Sequence, residues 1–425
     1  MIEASSAHLR PDWLDILILL CVTAMVAFLL QPRISRASDW RATVTPLASI
    51  IGSGFLVVAP LMVQLLGGWA VAAMTSIALL AFLVGSAVRY NIRHVEPISS
   101  QNPAGTGMPR LLWRLERLSD LVLFLAYIIA VAFYLEILAA FVLRLAGISD
   151  SEPRKAIASA ILVLLAIFGS LRGFGFLEKL EEYAVSLKLA VIAGLLIGLA
   201  VHDAEGVFSA GVLFLEMPQQ WSATTLRHLA GMFLMVQGFE VSRYLGDVYG
   251  PQQRVQTMRR AQILSGAIYV LFVALALPTV DMSMAVSETT IIDLSRQVAI
   301  TLPYLLVLGA VMSQFSAAIA DLVGSGGTLG EAIRRPLPNP VRYPAVAGLA
   351  ILLLWSVDIY AIIAWASRAF AVYYMLQAVM AALHAAHQAA RGERRATGQC
   401  AFFALLSLVM LAIALFALPA DAPAG

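Results

Sequence analysis

The 425-residue sequence predicts an all-α polytopic membrane protein of about 12 transmembrane helices, and three observations carry that prediction. Apolar and aromatic residues make up 60% of the chain and Asp, Glu, Lys and Arg only 13%, against roughly 25% charged in soluble domains. At a mean hydropathy of +0.85 the apolar residues exceed what protein cores could hold and must face lipid. They also fall into runs of the roughly 20 residues that a helix needs to cross about 30 Å of hydrocarbon. Finally, the basic residues sit mostly on alternate connections between those runs. A water-soluble enzyme is excluded, and a net charge of +2 points to no nucleic-acid partner.

The first apolar run, 13–31, follows an N-terminus whose only basic residue is Arg10, so it reads as a retained span and not as a cleaved signal. Runs at 44–66 and 69–89 come next. The connection from Asn91 to Arg117 opens with turn-forming Pro and Gly and ends in LLWRLERL, which predicts an interfacial amphipathic helix before the span at 118–146. Spans at 156–171 and 180–202 lead to the longest external connection, His202 to Leu226, where VFSAGVLFLEMPQQW predicts a short helix over the outer vestibule. Spans at 226–249, 261–281 and 298–324 follow. The stretch from Ala345 to Ala390 is too long for one span, so it divides into 343–359 and 366–390 joined by a short turn. The last span is 399–419.

With the first span entering from outside, one face receives 19 of the 28 basic residues and the other 6, leaving Lys188, Arg243 and Arg368 within spans. The basic face is therefore cytoplasmic, both termini are extracytoplasmic, and the expected location is the cell (inner) membrane. Cys21 and Cys400 lie in apolar runs and behave as small hydrophobes, with no disulfide or metal motif. No cofactor is expected. The sequence leaves the oligomeric state open.

Two spans are interrupted by glycine, and in lipid a broken helix is tolerated only where it is buried or lines a cavity. Ile50-Ile51-Gly52-Ser53-Gly54-Phe55 lies roughly 13 Å into the second span from the basic face. Gln237-Gly238-Phe239-Glu240 lies roughly 17 Å into the seventh from the opposite face. Breaks at matching depth, five spans apart and oppositely oriented, predict a 5+5 inverted repeat with a solute bound where the unwound segments meet. The chain then divides into an extracytoplasmic N-terminus and extra helix (1–40), a first five-helix repeat (41–202), an external loop (203–225), a second five-helix repeat (226–390) and a final helix with its tail (391–425).

These segments resemble the amino acid, polyamine and organocation (APC) superfamily of transporters. IIGSGF is similar to its Gly-x-Gly signature in the first core span. GFEVSRYLGDVYGPQQR is similar to the Gly-Phe-acidic segment of the sixth, and LEEYAVSLKLAVI to the fifth, where sodium-independent members carry a lysine. The resemblance covers roughly residues 41–390 and implies a LeuT-like fold with one extra N-terminal and one extra C-terminal helix. It departs in the extra first span, in one residue fewer between Gly238 and Pro251, and in Arg243, which argues against an ordinary neutral amino-acid substrate.

Ionisable groups at membrane depth are the functional candidates. Lys188 lies roughly 12 Å from the basic face if its span starts near Leu180. Such a lysine either carries a proton or replaces a structural cation, or snorkels to the interface from one turn lower. The resemblance implies that it fills the space where sodium-coupled relatives bind sodium, near carbonyls around Ser49 to Gly52 and the hydroxyls of Ser313 and Ser316. Glu240 has four readings: a cap for exposed amides, a site for a cationic substrate group, a titrating group, or a structural partner of a buried cation such as Arg243. Arg243 and Asp247 are spaced to pair along a helix. Glu136 is a second proton-site candidate, or a partner for Arg368, and Asp321 reads as a gate or loop anchor near the end of its span. The half-helix after the first break presents free N–H groups to an anion, which selects Ser53, Gly54 and Phe55 as carboxylate-binding positions. Gln237, Gly238, Phe239 and Tyr134 complete the expected solute site. His384 and His387 stand one turn apart without a third ligand, so no metal site is expected.

The function that these readings support is secondary active transport of an amino acid or related small amine by alternating access, sodium-independent and either proton-coupled or exchanging. The expected partners are a small-molecule solute, protons as the candidate coupling ion, and the lipid bilayer. Two alternatives stay open: a non-transporting receptor or scaffold on the same fold, and an ion transporter. No nucleophile with a base or metal triad is present, so no enzymatic activity is expected.

Overall fold

The computed structural model describes residues 12–52, 54–99, 107–145, 148, 150–210, 222–280, 290–333, 338–357 and 359–418. Among these residues the regular structure is all helical: α1 (Asp12–Leu29), α2 (Ser38–Ile50), α3 (Gly54–Leu66), α4 (Ala70–His94), α5 (Met108–Leu145), α6 (Ser151–Arg172), α7 (Phe174–Ala210), α8 (Ala223–Met232), α9 (Pro251–Ala276), α10 (Thr290–Val298), α11 (Leu302–Ile333), α12 (Asn339–Ser356), α13 (Ile359–Ala390) and α14 (Arg394–Phe416). Tight 3-10 turns at Phe233–Val236 and Phe239–Leu245 carry the chain from α8 toward α9. Among the described residues eight helical stretches are long and apolar enough to cross a membrane, and α1 supplies a shorter apolar helix.

Local chemistry sets the ends. Pro251 opens α9 behind an extended Gly250, where its fixed φ suits a first turn and its missing N–H costs nothing. Gly173, at φ 69°, ends α6 and lets α7 start one residue later. The stretch from Ala345 to Ala390 does form two helices, with α12 ending at Ser356 and α13 starting at Ile359.

Two expectations are corrected. LLWRLERL is not a separate interfacial helix, since α5 runs unbroken for 38 residues and includes it. Leu112 and Glu116 are buried there, so the amphipathic face meets protein and not headgroups. Asp321 is not near a helix end either, because α11 continues to Ile333. Most of the external segment containing VFSAGVLFLEMPQQW lies outside the described residues, and its first residues continue α7 to Ala210.

α4 packs on α9, α5 on α11, and α6 on α12, while α2 lies against α7, α9, α11 and the second 3-10 turn. α13 joins α5 to α14. The added helix α1 seats Ile18 and Val22 against Gly194 and Gly198 of α7, where the lack of side chains permits close approach. It also reaches α11: Asp15 Oδ1 accepts from the Thr301 N–H at 2.9 Å and its hydroxyl at 2.8 Å, satisfying donors at the start of that helix. Asp15→Ala is expected to lower stability by about 1 kcal/mol, read as a fall in melting temperature in detergent, and an unchanged value would mean that α1 is held by apolar contact alone.

Candidate functional site

α2 carries Pro46 and stops at Ile50, and α3 restarts at Gly54, which frees backbone carbonyls in the middle of the protein. Side chains from three other helices take them up. Lys188 Nζ of α7 donates to Ala48 O at 2.9 Å, Ile51 O at 2.7 Å and Ser316 Oγ at 2.8 Å. Ser313 Oγ of α11 lies 2.7 Å from Ile51 O and 3.0 Å from Gly52 O. Tyr269 Oη of α9 is 3.0 Å from Ile50 O and 2.9 Å from Met235 O, so one hydroxyl joins both breaks. Lys188 is only 1% exposed, 14 residues past the start of α7, and does not snorkel.

At the second break Gly238 adopts φ 107°, a left-handed conformation that a side chain resists. Its N–H donates to Glu240 Oε2 at 3.0 Å and to Tyr374 Oη at 3.3 Å. Tyr374 also donates to Glu240 Oε2, and Tyr127 donates to Oε1 at 3.3 Å. Glu240 thus caps the amide that the break exposes, and its partners are tyrosines and not Arg243. Phe239 is buried and stacks on Tyr374 with ring centroids 5.0 Å apart.

The breaks touch each other. A Cβ on Gly238 would sit 2.7 Å from both Cβ and the carbonyl carbon of Ser49. Ser49 Oγ in turn donates to Asp321 Oδ1 at 2.9 Å, and Asp321 and Glu240, both fully buried, interact electrostatically. Gly238→Ala is expected to destabilise the protein by at least about 1–2 kcal/mol from the backbone conformation alone, and to push the breaks apart. Thermal unfolding checks this, and a variant as stable as the parent would show that the contact is loose.

The predicted residues separate into groups. Gly52, Gly238, Glu240, Lys188, Ser313 and Ser316 come together around the breaks, and Tyr134 joins them, with Cε1 3.7 Å from where a Gly52 Cβ would be. Glu136 follows Tyr134 by two residues, about 200° around α5, so it is turned away from the break; it is buried while Arg368, its expected partner, is exposed. Ser53 lies outside the described residues. Gly54 faces Met235, whose Cβ would be 2.7 Å from an added Cβ, and the Phe55 N–H is 3.4 Å from Gly52 O. The Phe55 ring stacks on Phe272 at 4.6 Å and packs edge-on to Tyr269. At the expected carboxylate positions, Met235 therefore fills the space beside Gly54 and the Phe55 N–H faces a carbonyl of its own segment. Gln237 Oε1 and Asp321 Oδ2 are buried acceptors without a hydrogen-bond donor among the described residues.

Arg243 does not pair with Asp247, which is exposed. Its guanidinium meets Glu116 of α5 and Gln377 of α13, all three buried. Sequence reasoning missed Tyr269, Tyr374 and Gln377, although a hydroxyl or amide buried in a span needs a partner and is a signal in itself.

A family model described as an APC superfamily transporter matches residues 32–417. An uncharacterized protein of Aquifex aeolicus (strain VF5) is 39% identical over 391 residues, covering 92% of this chain and 93% of the relative. Among solved structures, a Na+-coupled sialic acid symporter aligns with a TM-score of 0.56 at 13% identity, covering 95% of this chain and 98% of that one. The Eremococcus coleocola manganese transporter aligns with a TM-score of 0.54 at 13% identity, covering 90% and 87%. At such identity the structural likeness shows the fold alone.

Proposed function

The chain belongs to the APC superfamily of transporters, with a LeuT-like fold in an integral membrane protein, and on that premise we propose that it carries an amino acid or related small organic amine by alternating access, independently of sodium, with proton coupling or exchange. The observation that carries the solute class is the pair of donor-less acceptors at the breaks, Gln237 Oε1 and Asp321 Oδ2. Buried acceptors of this kind favour a ligand that brings N–H donors, as an ammonium group does. Sodium independence rests on Lys188, whose ammonium occupies the oxygen-lined space that a bound cation would need.

A 5+5 inverted repeat with about 12 spanning helices and one extra helix at each end accounts for the packing. α4 and α9, α5 and α11, and α6 and α12 hold the same rank in the two proposed halves, and each packs on its counterpart, as elements near a pseudo-two-fold axis do. In this reading Gln237, Gly238 and Phe239 lie along the solute path, both termini are extracytoplasmic, and the membrane is the cell (inner) membrane.

Proteoliposome flux tests the proposal. Labelled amino acids and amines are offered under an imposed pH gradient or against preloaded unlabelled solute, with sodium or choline as the salt. Accumulation of at least one of them, equal in both salts, is expected. Flux of manganese with none of the organic solutes would overturn the solute class, and tight binding without flux would favour a receptor.

A further inference from the structure

We propose that Glu181 is a proton relay between the basic face and Lys188, so that protons reach and leave the lysine along one stripe of α7. This rests on the proton-coupled form of the transport reading. Glu178, Glu181 and Lys188 are spaced by three and seven residues, which places them on one face of α7. That face is zipped to α2 in three rungs: Arg41 pairs with Glu178, Thr45 Oγ1 donates to Glu181 Oε2 at 3.3 Å, and Lys188 donates to the carbonyls of Ala48 and Ile51.

Burial rises along the stripe. The Arg41 side chain is 38% exposed and that of Glu178 3%, while Glu181 is fully buried and Lys188 1% exposed. The outermost carboxylate, which also accepts from Tyr249 Oη at 2.6 Å, therefore lies next to a group in contact with solution. The contacts of Glu181 and Lys188 on α2 are three residues apart, about 4.5 Å along the helix.

The middle rung is underused as a structural tie. Glu181 Oε1 is buried with no hydrogen-bond donor among the described residues, and no cation bonds directly to this carboxyl. The charged groups acting on it are Glu178 and Lys188 on its own helix and Asp321 from α11, with Thr45 bonding from α2 and Arg41 held one rung away by Glu178. A carboxyl so placed is costly as a permanent ion, whereas one that passes a proton toward an amine seven residues further along the same face, about 10.5 Å in axial rise, has a use for its free oxygen. In the transfer, the Glu181 O–H bond breaks, the neutral Lys188 Nζ gains the proton, and an ammonium and a carboxylate result. The carboxylate then regains a proton from solution past Glu178.

The test is Glu181→Gln, which keeps the shape and the Thr45 contact but carries no exchangeable acid proton. Proteoliposomes are assayed with a mixture of radiolabelled L-amino acids, first for counterflow against the unlabelled mixture and then for accumulation driven by a pH gradient. The variant is expected to keep counterflow and to lose about ten-fold or more of gradient-driven accumulation, with Glu181→Asp recovering part of it. Accumulation equal to the parent overturns the relay, and so does loss of counterflow as well, which would make Glu181 a structural rung. If the parent protein moves none of these amino acids, the relay is read instead from infrared spectra over a pH titration. A protonated-carboxyl stretching band absent from Glu181→Gln and displaced along the titration in Lys188→Met supports it; identical spectra from the parent and Glu181→Gln overturn it.

Discussion

Lys188→Ala is expected to abolish pH-gradient-driven uptake and to make stability respond to sodium, a response not expected of the parent protein. The ammonium now satisfies Ala48 O, Ile51 O and Ser316 Oγ, and Ser313 Oγ stands beside the same carbonyls. Truncation leaves those oxygens buried without their shared donor, at a cost of about 1–3 kcal/mol or more. It also leaves a space walled by carbonyl and hydroxyl oxygens, the ligand set that hard cations prefer. Melting temperature should fall in choline and recover in part in sodium for the variant, with no salt difference in the parent. Lys188→Met, which keeps most of the stem volume, should lose uptake but show less recovery because the space is filled. Uptake by Lys188→Ala that equals the parent in choline would sink the coupling role.

The consequences of that substitution follow from features that could be read in the sequence to different degrees. Lys188 was legible because a lysine among apolar residues at membrane depth has few explanations. The serine and carbonyl partners followed from family resemblance. The breaks were legible from glycines in mid-span, and their meeting at Ser49 and Gly238 agrees with their matched depth. The packing of Met235 against Gly54 was not legible, because it depends on contact between segments about 180 residues apart. The same limit applies to Arg243. Helical spacing offered Asp247 as its partner, but Arg243 lies in a 3-10 turn, with about three residues per turn and not 3.6, that ends at Leu245. Beyond that end Asp247 is exposed, while Arg243 meets Glu116. Glu116 itself was hidden by the amphipathic pattern of LLWRLERL, which does not say whether its polar face meets water or another polar side chain.

Removing either member of the Arg243–Glu116 pair is expected to have the largest effect on stability of any surface-independent substitution. Both side chains are buried, and Gln377, which also meets Arg243, accepts from Asn91 Nδ2 at 2.8 Å and donates to Ser119 Oγ at 2.8 Å. The Arg243 carbonyl accepts from Arg254 at 2.5 Å, and Arg254 pairs with Glu96 at 2.6 Å. One 3-10 turn is thereby tied to α4, α5, α9 and α13. Arg243→Leu strands a buried carboxylate and Glu116→Leu a buried guanidinium, each at about 3–5 kcal/mol, whereas an apolar pair of similar volume can be nearly neutral. The double variant should therefore melt above either single one. Its transport should stay impaired, because leucines restore packing but not the directional bonds that set the turn between the helices. Thermal unfolding of the four proteins gives the coupling energy, and flux assays give the second half of the prediction. Single variants as stable as the parent would mean that water already reaches the pair, and a fully active double variant would reduce the clamp to packing.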